Sequence, residues 1–129
     1  GRVAPEGVAL ISYLRKKYRL ALASSASSKT VALFLNRSGY ADAFEVVLDG
    51  SLVDRAKPAP DIYELALRKL ALKRETCVVV EDSSNGIMAA QAAGIPVIAL
   101  SQVLEEETNI QSLQPTAIVE HLSHIQQIL

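Results

Sequence analysis

The sequence predicts an α/β protein: three layers, α/β/α, around a mostly parallel sheet, folded as one domain over residues 1–129. Three observations carry this. Short apolar runs alternate with segments of helical period, the pattern of strand–helix crossovers. Hydrophobic residues make up 50% of the chain, enough for a real core and too many for disorder. The length of 129 residues suits one domain.

The elements follow in order. Leu10, Ile11 and Leu14 share one face of a helix expected over Pro5–Lys17, with Pro5 in its first turn. Leu20-Ala21-Leu22-Ala23 is a short apolar run ended by serines, a buried strand. From about Ser27 to Ser38 the period is helical, with Val31, Phe34 and Leu35 on one face and Gly39 as the stop. Phe44–Leu48 is a second strand, followed by a polar loop to Pro60. Asp61–Leu72 is a helix with Ile62, Leu65, Ala66 and Leu70 inward. Thr76–Val80 is the most β-branched run, a third strand. Ser84–Ala93 is a small-residue helix closed by Gly94, and Pro96–Leu100 a fourth strand. The Glu- and Gln-rich stretch Ser101–Pro115 reads as a surface connection. Ala117–Val119 is a short fifth strand, and His121–Leu129 a last helix with Leu122, Ile125 and Leu129 inward.

Composition excludes several functions. The formal net charge is -1. Without a basic run, a phosphate-backbone nucleic-acid partner is not expected. Arg15, Lys16, Lys17 and Arg19 cluster where cations complement a helix C-terminus. No apolar run is long enough to span a membrane, and no signal peptide is visible, so no membrane partner is expected. The single cysteine, Cys77, forbids an internal disulfide. Set before Val78-Val79-Val80, it reads as a buried, inert thiol. A lone thiol suits a reducing, cytoplasmic setting.

In an open parallel sheet, ligands bind beyond the carboxyl ends of the strands. Three polar sets fall there: Ser24, Ser25, Ser27 and Ser28 after the first strand, Asp54, Arg55 and Lys57 after the second, and Glu81 to Asn85 after the third. Glu81-Asp82 is the sharpest. Two adjacent carboxylates after a buried strand are costly unless a cation neutralises them. Mg²⁺ accepts one or two carboxylates together with water and phosphate oxygens. Helix capping by Asp82 or Ser84 is the competing reading, and it explains one acid rather than two. The serines after Ala23 fit a phosphate-binding turn or an ordinary N-cap equally well. Lys57 is flanked by Pro58 and Pro60, which stiffen its loop. A fixed cation there would stabilise phosphoryl charge, whereas most lysines are simply exposed. Asp61 reads as an N-cap or first-turn acid. His121 and His124 lack a third ligand nearby and read as surface or partly buried histidines.

The segments Leu22-Ala23-Ser24-Ser25, Lys57-Pro58-Ala59-Pro60-Asp61 and Val80-Glu81-Asp82-Ser83-Ser84-Asn85-Gly86-Ile87, with Ala92-Ala93-Gly94, resemble motifs two, three and four of the haloacid dehalogenase superfamily. The nearest flavour is its β-phosphoglucomutase-like branch, and the resemblance runs from about Pro5 to Leu100. It implies a Rossmann-like core and Mg²⁺-dependent phosphoryl transfer through an aspartyl-phosphate. The substrate would be a small phosphorylated metabolite, and the enzyme a phosphatase or phosphomutase. In that scheme Ser24 binds the transferring group through its hydroxyl and Ser25 through its backbone N–H. Lys57 neutralises the phosphoryl oxygens and holds the nucleophile. Glu81 and Asp82 anchor the metal, directly or through water.

The family's first motif, an Asp-x-Asp on the central strand, has no counterpart in the chain, and neither has the helical cap. The cap largely selects the substrate, so the substrate is not legible here. Glu81-Asp82 distinguishes the chain from metal-free dehalogenases and points to phosphate chemistry. Without a covalent nucleophile the chain alone is expected to be inactive. The alternative is a non-catalytic α/β interaction module. The resemblance places the absent strand between the strands ending at Ser24 and Asp82. Those two strands are then expected to pair directly, or to self-associate or take up the missing N-terminal segment at that edge.

Overall fold

The computed structural model describes residues 11–101, 111–119 and 124–129. Residues 11–14 are helical, the end of the first expected helix; its start lies outside the described residues. The N–H groups of Lys17 and Tyr18 both reach the Leu14 carbonyl, at 3.0 and 2.8 Å, closing that helix. Residues 15–19 are exposed, as a solvated helix end requires.

Strand β1 is Ala21–Ala23. Ser27 caps helix α1, Ser28–Ser38, by accepting the N–H of Thr30, which satisfies one of the orphan donors of the first turn. The helix stops at Gly39, whose φ of 74° is left-handed. A 3-10 turn over Ala41–Ala43 delays β2, which is Val46–Leu48 rather than starting at Phe44. Helix α2 is Asp61–Leu70 and ends on Ala71, left-handed at φ 55°. Its buried face is Ile62, Tyr63, Ala66, Leu67 and Leu70, so Tyr63 and Leu67 join the expected inward set while Leu65 is only half-buried.

Strand β3 is Val79–Glu81, starting three residues after the expected Thr76, because Arg74–Thr76 form a 3-10 turn. Thr76 donates both its hydroxyl and its N–H to the Lys73 carbonyl, at 2.8 and 3.0 Å, and this local bonding competes with the sheet. Helix α3 is Ser84–Ala92, β4 is Val97–Leu100 and β5 is Ala117–Val119. Ser83 caps α3 through the Gly86 N–H, in place of the expected Asp82 or Ser84. Helix α4 is Ile125–Ile128. The beginning of the last expected helix, with His121 and Leu122, lies outside the described residues, as does most of the Ser101–Pro115 connection.

Among the described residues every strand pairing is parallel, and the strands form two sheets rather than one: β1-β2, and β3-β4-β5. Direct pairing of β1 with β3, one of the expected outcomes, does not occur. A cleft of about 780 Å³ opens instead, walled by residues 20–23 and 76–80 and floored by Tyr63, Ala66, Leu67 and Leu70. One core nevertheless runs under both sheets: Leu48 of β2, Tyr63 and Leu67 of α2, Ile87 of α3 and Val97 of β4 belong to a single cluster. Helix α2 lies against β1 and β2 and shares its core cluster with α3 and β4, so core contact does not require β1 and β3 to meet. Val78 and Val80 stay 40% and 37% exposed beside the cleft. Cys77 also lines it and is half-buried, not the fully buried thiol expected, because no strand covers it there.

Candidate active site

The site is built from three loop entries at the carboxyl ends of β1, β2 and β3. The first two are sewn together. Ser24 N–H reaches the Leu48 carbonyl at 3.0 Å, and Gly50 N–H reaches the Ala26 carbonyl at 2.8 Å. A Cβ on Gly50 would stand 2.5 Å from the Ser25 carbonyl oxygen, so only glycine permits this approach. The serines divide their roles. Ser27 is the helix cap. Ser24, half-buried, accepts the Ala26 N–H at 3.1 Å through its hydroxyl oxygen, which leaves the hydroxyl hydrogen to donate elsewhere. Ser25 is exposed.

Lys57 connects β1 to β3. Its Nζ donates to Glu81 Oε2 at 2.5 Å and to the Ala23 carbonyl at 3.3 Å. Both side chains of the pair are 10% exposed. The lysine from the loop after β2 thus bridges the carboxyl ends of β1 and β3, at the residues that precede Ser24 and Asp82.

Glu81 is the last residue of β3, not the first of the following loop. Its carboxylate meets four donors. Lys57 Nζ and Tyr63 Oη, each at 2.5 Å, share Oε2. Asp82 N–H at 3.2 Å and Ser83 Oγ at 3.4 Å approach Oε1. The two adjacent acids therefore do not face each other. Glu81 turns inward to protein donors, and Asp82 is exposed, with no partner for its carboxylate among the described residues. Room for Glu81 comes from Gly86, where a Cβ would overlap the carboxylate.

Tyr63 is a functional neighbour that the sequence reading missed. It is 6% exposed, and burial, then the Glu81 charge, pushes its phenol well above the ordinary range. Its signal was present: Tyr63, Ala66, Leu67 and Leu70 repeat at helical spacing. Asp61 sits in the first turn of α2, as expected, with Pro60 at the cap position. Arg55 Nη2 donates to it at 2.7 Å, and this hydrogen bond holds the Asp61 carboxyl below its usual range. His124 is exposed, and His121 lies outside the described residues.

Among the described residues no three His, Cys, Asp or Glu side chains converge as a metal cage. The donor set fits a Mg²⁺ ion in part. Asp82 offers a free carboxylate, while Glu81 has its lone pairs engaged. Mg²⁺ keeps several waters and takes few protein oxygens, so one free carboxylate suits it if further oxygens come from substrate and additional polypeptide.

The parallel α/β core thus carries a lysine-bridged polar site at its strand ends, the place where open sheets of this class bind ligands. The family model for haloacid dehalogenase-like hydrolase matches residues 4–100. The chain belongs to that family. It is 42% identical over 87 residues to Protein CbbY of Cereibacter sphaeroides, covering 65% of this chain and 38% of that protein. It is 40% identical over 80 residues to a phosphorylated carbohydrates phosphatase of Thermotoga maritima, covering 62% and 37%. Among solved structures, a candidate β-phosphoglucomutase of Thermotoga maritima superposes with a TM-score of 0.87 at 30% identity, covering 98% of this chain and 61% of that one. CbbY of Rhodobacter sphaeroides in complex with xylulose-(1,5)bisphosphate superposes at 0.79 and 32%, covering 92% and 53%. The chain spans well under half the length of these two curated relatives. Its likeness lies with the β-phosphoglucomutase-like and CbbY branch. Among the described residues no helix is long and apolar enough to cross a membrane.

Proposed function

We propose that this chain is the phosphoryl-binding and metal-binding part of a Mg²⁺-dependent phosphatase or phosphomutase acting on a small phosphorylated sugar. The carrying observation is Lys57, whose ammonium touches both the Ala23 carbonyl beside Ser24 and the Glu81 carboxylate beside Asp82. Two of its three N–H groups are engaged, and a turn of the ammonium away from Glu81 brings it to a phosphoryl oxygen. Ser24 donates its hydroxyl hydrogen to the same group, and Ser25 its N–H. Asp82 holds Mg²⁺ directly, and Glu81 reaches the ion through water on the lone pair that Lys57 vacates when it turns to the phosphoryl group. When bound, the ion neutralises phosphoryl charge and orients the group. The nucleophile is an aspartate from further polypeptide whose strand occupies the cleft between β1 and β3, giving an aspartyl-phosphate. The sugar-phosphate class follows from the names of the relatives, and a cytoplasmic location from the lone thiol.

The test is hydrolysis of p-nitrophenyl phosphate with Mg²⁺ by the full-length protein and by this chain alone. Turnover is expected from the first and not from the second, and Lys57→Ala should abolish it. Turnover by this chain alone, or full activity in Lys57→Ala, would overturn the reading. The open, apolar cleft edge at Val78 and Val80 supports a second reading, a binding module for an extended segment, which predicts association without turnover.

A further inference from the structure

Tyr63 and Lys57 donate to the same carboxylate oxygen, each at 2.5 Å. The Lys57 ammonium also lies 5.2 Å from the centre of the Tyr63 ring, within cation–π range. Tyr63 is 6% exposed, and its hydroxyl is fixed by the buried face of α2, four residues or fewer from Ala66 and Leu67 in the same core cluster. A phenol in this place can do two things that an aromatic ring alone cannot. It shares the charge on Oε2, which weakens the hold of Glu81 on Lys57. It also keeps that oxygen partnered when Lys57 turns toward another anion. A bare carboxylate oxygen at this depth would otherwise draw the lysine back, since electrostatic attraction strengthens as water is excluded.

We propose that Tyr63 is a positioning residue: it holds Glu81 in place while Lys57 shifts to the substrate phosphoryl group, and so sets the affinity for phosphate esters. The inference rests on the proposed phosphoryl-transfer reading and deepens it. Tyr63 touches neither substrate nor metal in this scheme; it acts through Glu81 on Lys57.

The experiment is a double-mutant cycle in the full-length protein, with Tyr63→Phe and Glu81→Gln singly and together. Tyr63→Phe keeps the ring and removes one hydrogen bond. It should raise KM for p-nitrophenyl phosphate about fivefold, the size of one net hydrogen bond, with kcat within about twofold. Calorimetric affinity for inorganic phosphate in Mg²⁺ buffer should fall by the same factor. In the Glu81→Gln background the effect on phosphate affinity should vanish, because the tyrosine acts through that carboxylate. Equal losses in both backgrounds, or unchanged phosphate affinity in folded Tyr63→Phe, would overturn the proposal. A second readout is spectroscopic. With ¹³Cζ-labelled tyrosine in the full-length protein, the Tyr63 resonance is the one absent from the Tyr63→Phe spectrum. It should move as phosphate is added, and a resonance unmoved at saturation would sink the idea. Turnover surviving Lys57→Ala is a different failure, that of the phosphoryl-transfer reading itself.

Discussion

The Glu81 carboxylate occupies the space that a Cβ on Gly86 would fill. Gly86 stands in the first turn of α3, with its N–H bonded to the capping Ser83 at 3.0 Å. One missing side chain thus lets the last residue of β3 fold back over the next helix, and only there can it meet Lys57 and Tyr63 together.

This reverses a normal expectation. Replacing a helical glycine by alanine usually stabilises by about 0.5–1 kcal/mol. Gly86→Ala should instead destabilise by roughly 1–3 kcal/mol, because it forces the buried carboxylate off its donors. Urea denaturation measures it. A stability gain would mean that Glu81 relaxes freely and that its four contacts are weak. The same variant should lose phosphatase activity in the full-length protein.

Asp82 carries the opposite expectation. It is exposed and its carboxylate has no partner among the described residues. Asp82→Asn should therefore shift stability by less than about 0.5 kcal/mol. It should nevertheless remove any Mg²⁺-dependent rise in melting temperature. A Mg²⁺ effect that persists in Asp82→Asn would place the ion elsewhere.

The contrast between these two acids marks the limit of what was legible. The parallel α/β order, the strand ends and the polar sets at them followed from periodicity and turn chemistry. So did Asp61 as a first-turn acid and Ser27 at the start of α1. Adjacent charges suggested a cation, but a sequence does not show which way each side chain turns. Here strand alternation and Gly86 send Glu81 inward and leave Asp82 outside. Tyr63 was hidden for a related reason: an aromatic at helical spacing reads as core, and its hydroxyl finds Glu81 only through tertiary contact. The gap between β1 and β3 was foreseen as a defect. Its outcome, two sheets rather than a closed one, depends on how α2 packs beneath both, which local pattern does not encode.

The Arg55–Asp61 pair gives a pH dependence. Arg55 holds the Asp61 carboxyl below the ordinary aspartate value of 3.8. A depressed folded value means that the contribution is fully present above the ordinary value and is lost as pH falls through the folded one. Asp61→Asn should thus be less stable than the unsubstituted protein near neutrality, with the difference shrinking as the pH falls below the ordinary aspartate value of 3.8. Acid also removes the favourable interaction of Asp61 with the N-terminus of α2, in the same direction. Thermal melts across pH check it. A difference that widens on acidification would show that the pair does not favour the ionised acid.

The cleft supplies the last expectation. Strand β3 pairs with β4 along one edge, and β1 pairs with β2; the edges that face each other across the cleft have no strand partner among the described residues. Val78 and Val80 add exposed apolar surface beside β3. An apolar edge with free N–H and C=O groups is a template for another strand. At raised concentration this chain alone should therefore associate, and sedimentation velocity should show species heavier than its 13.9 kDa mass. Val80→Lys should reduce association, because a charge at such an edge must be desolvated before a strand can dock. An extended peptide with alternating apolar residues, added in excess, should compete with self-association by filling the same slot. A chain that stays monomeric at every concentration and ignores the peptide would mean that these edges are closed by the chain itself in solution.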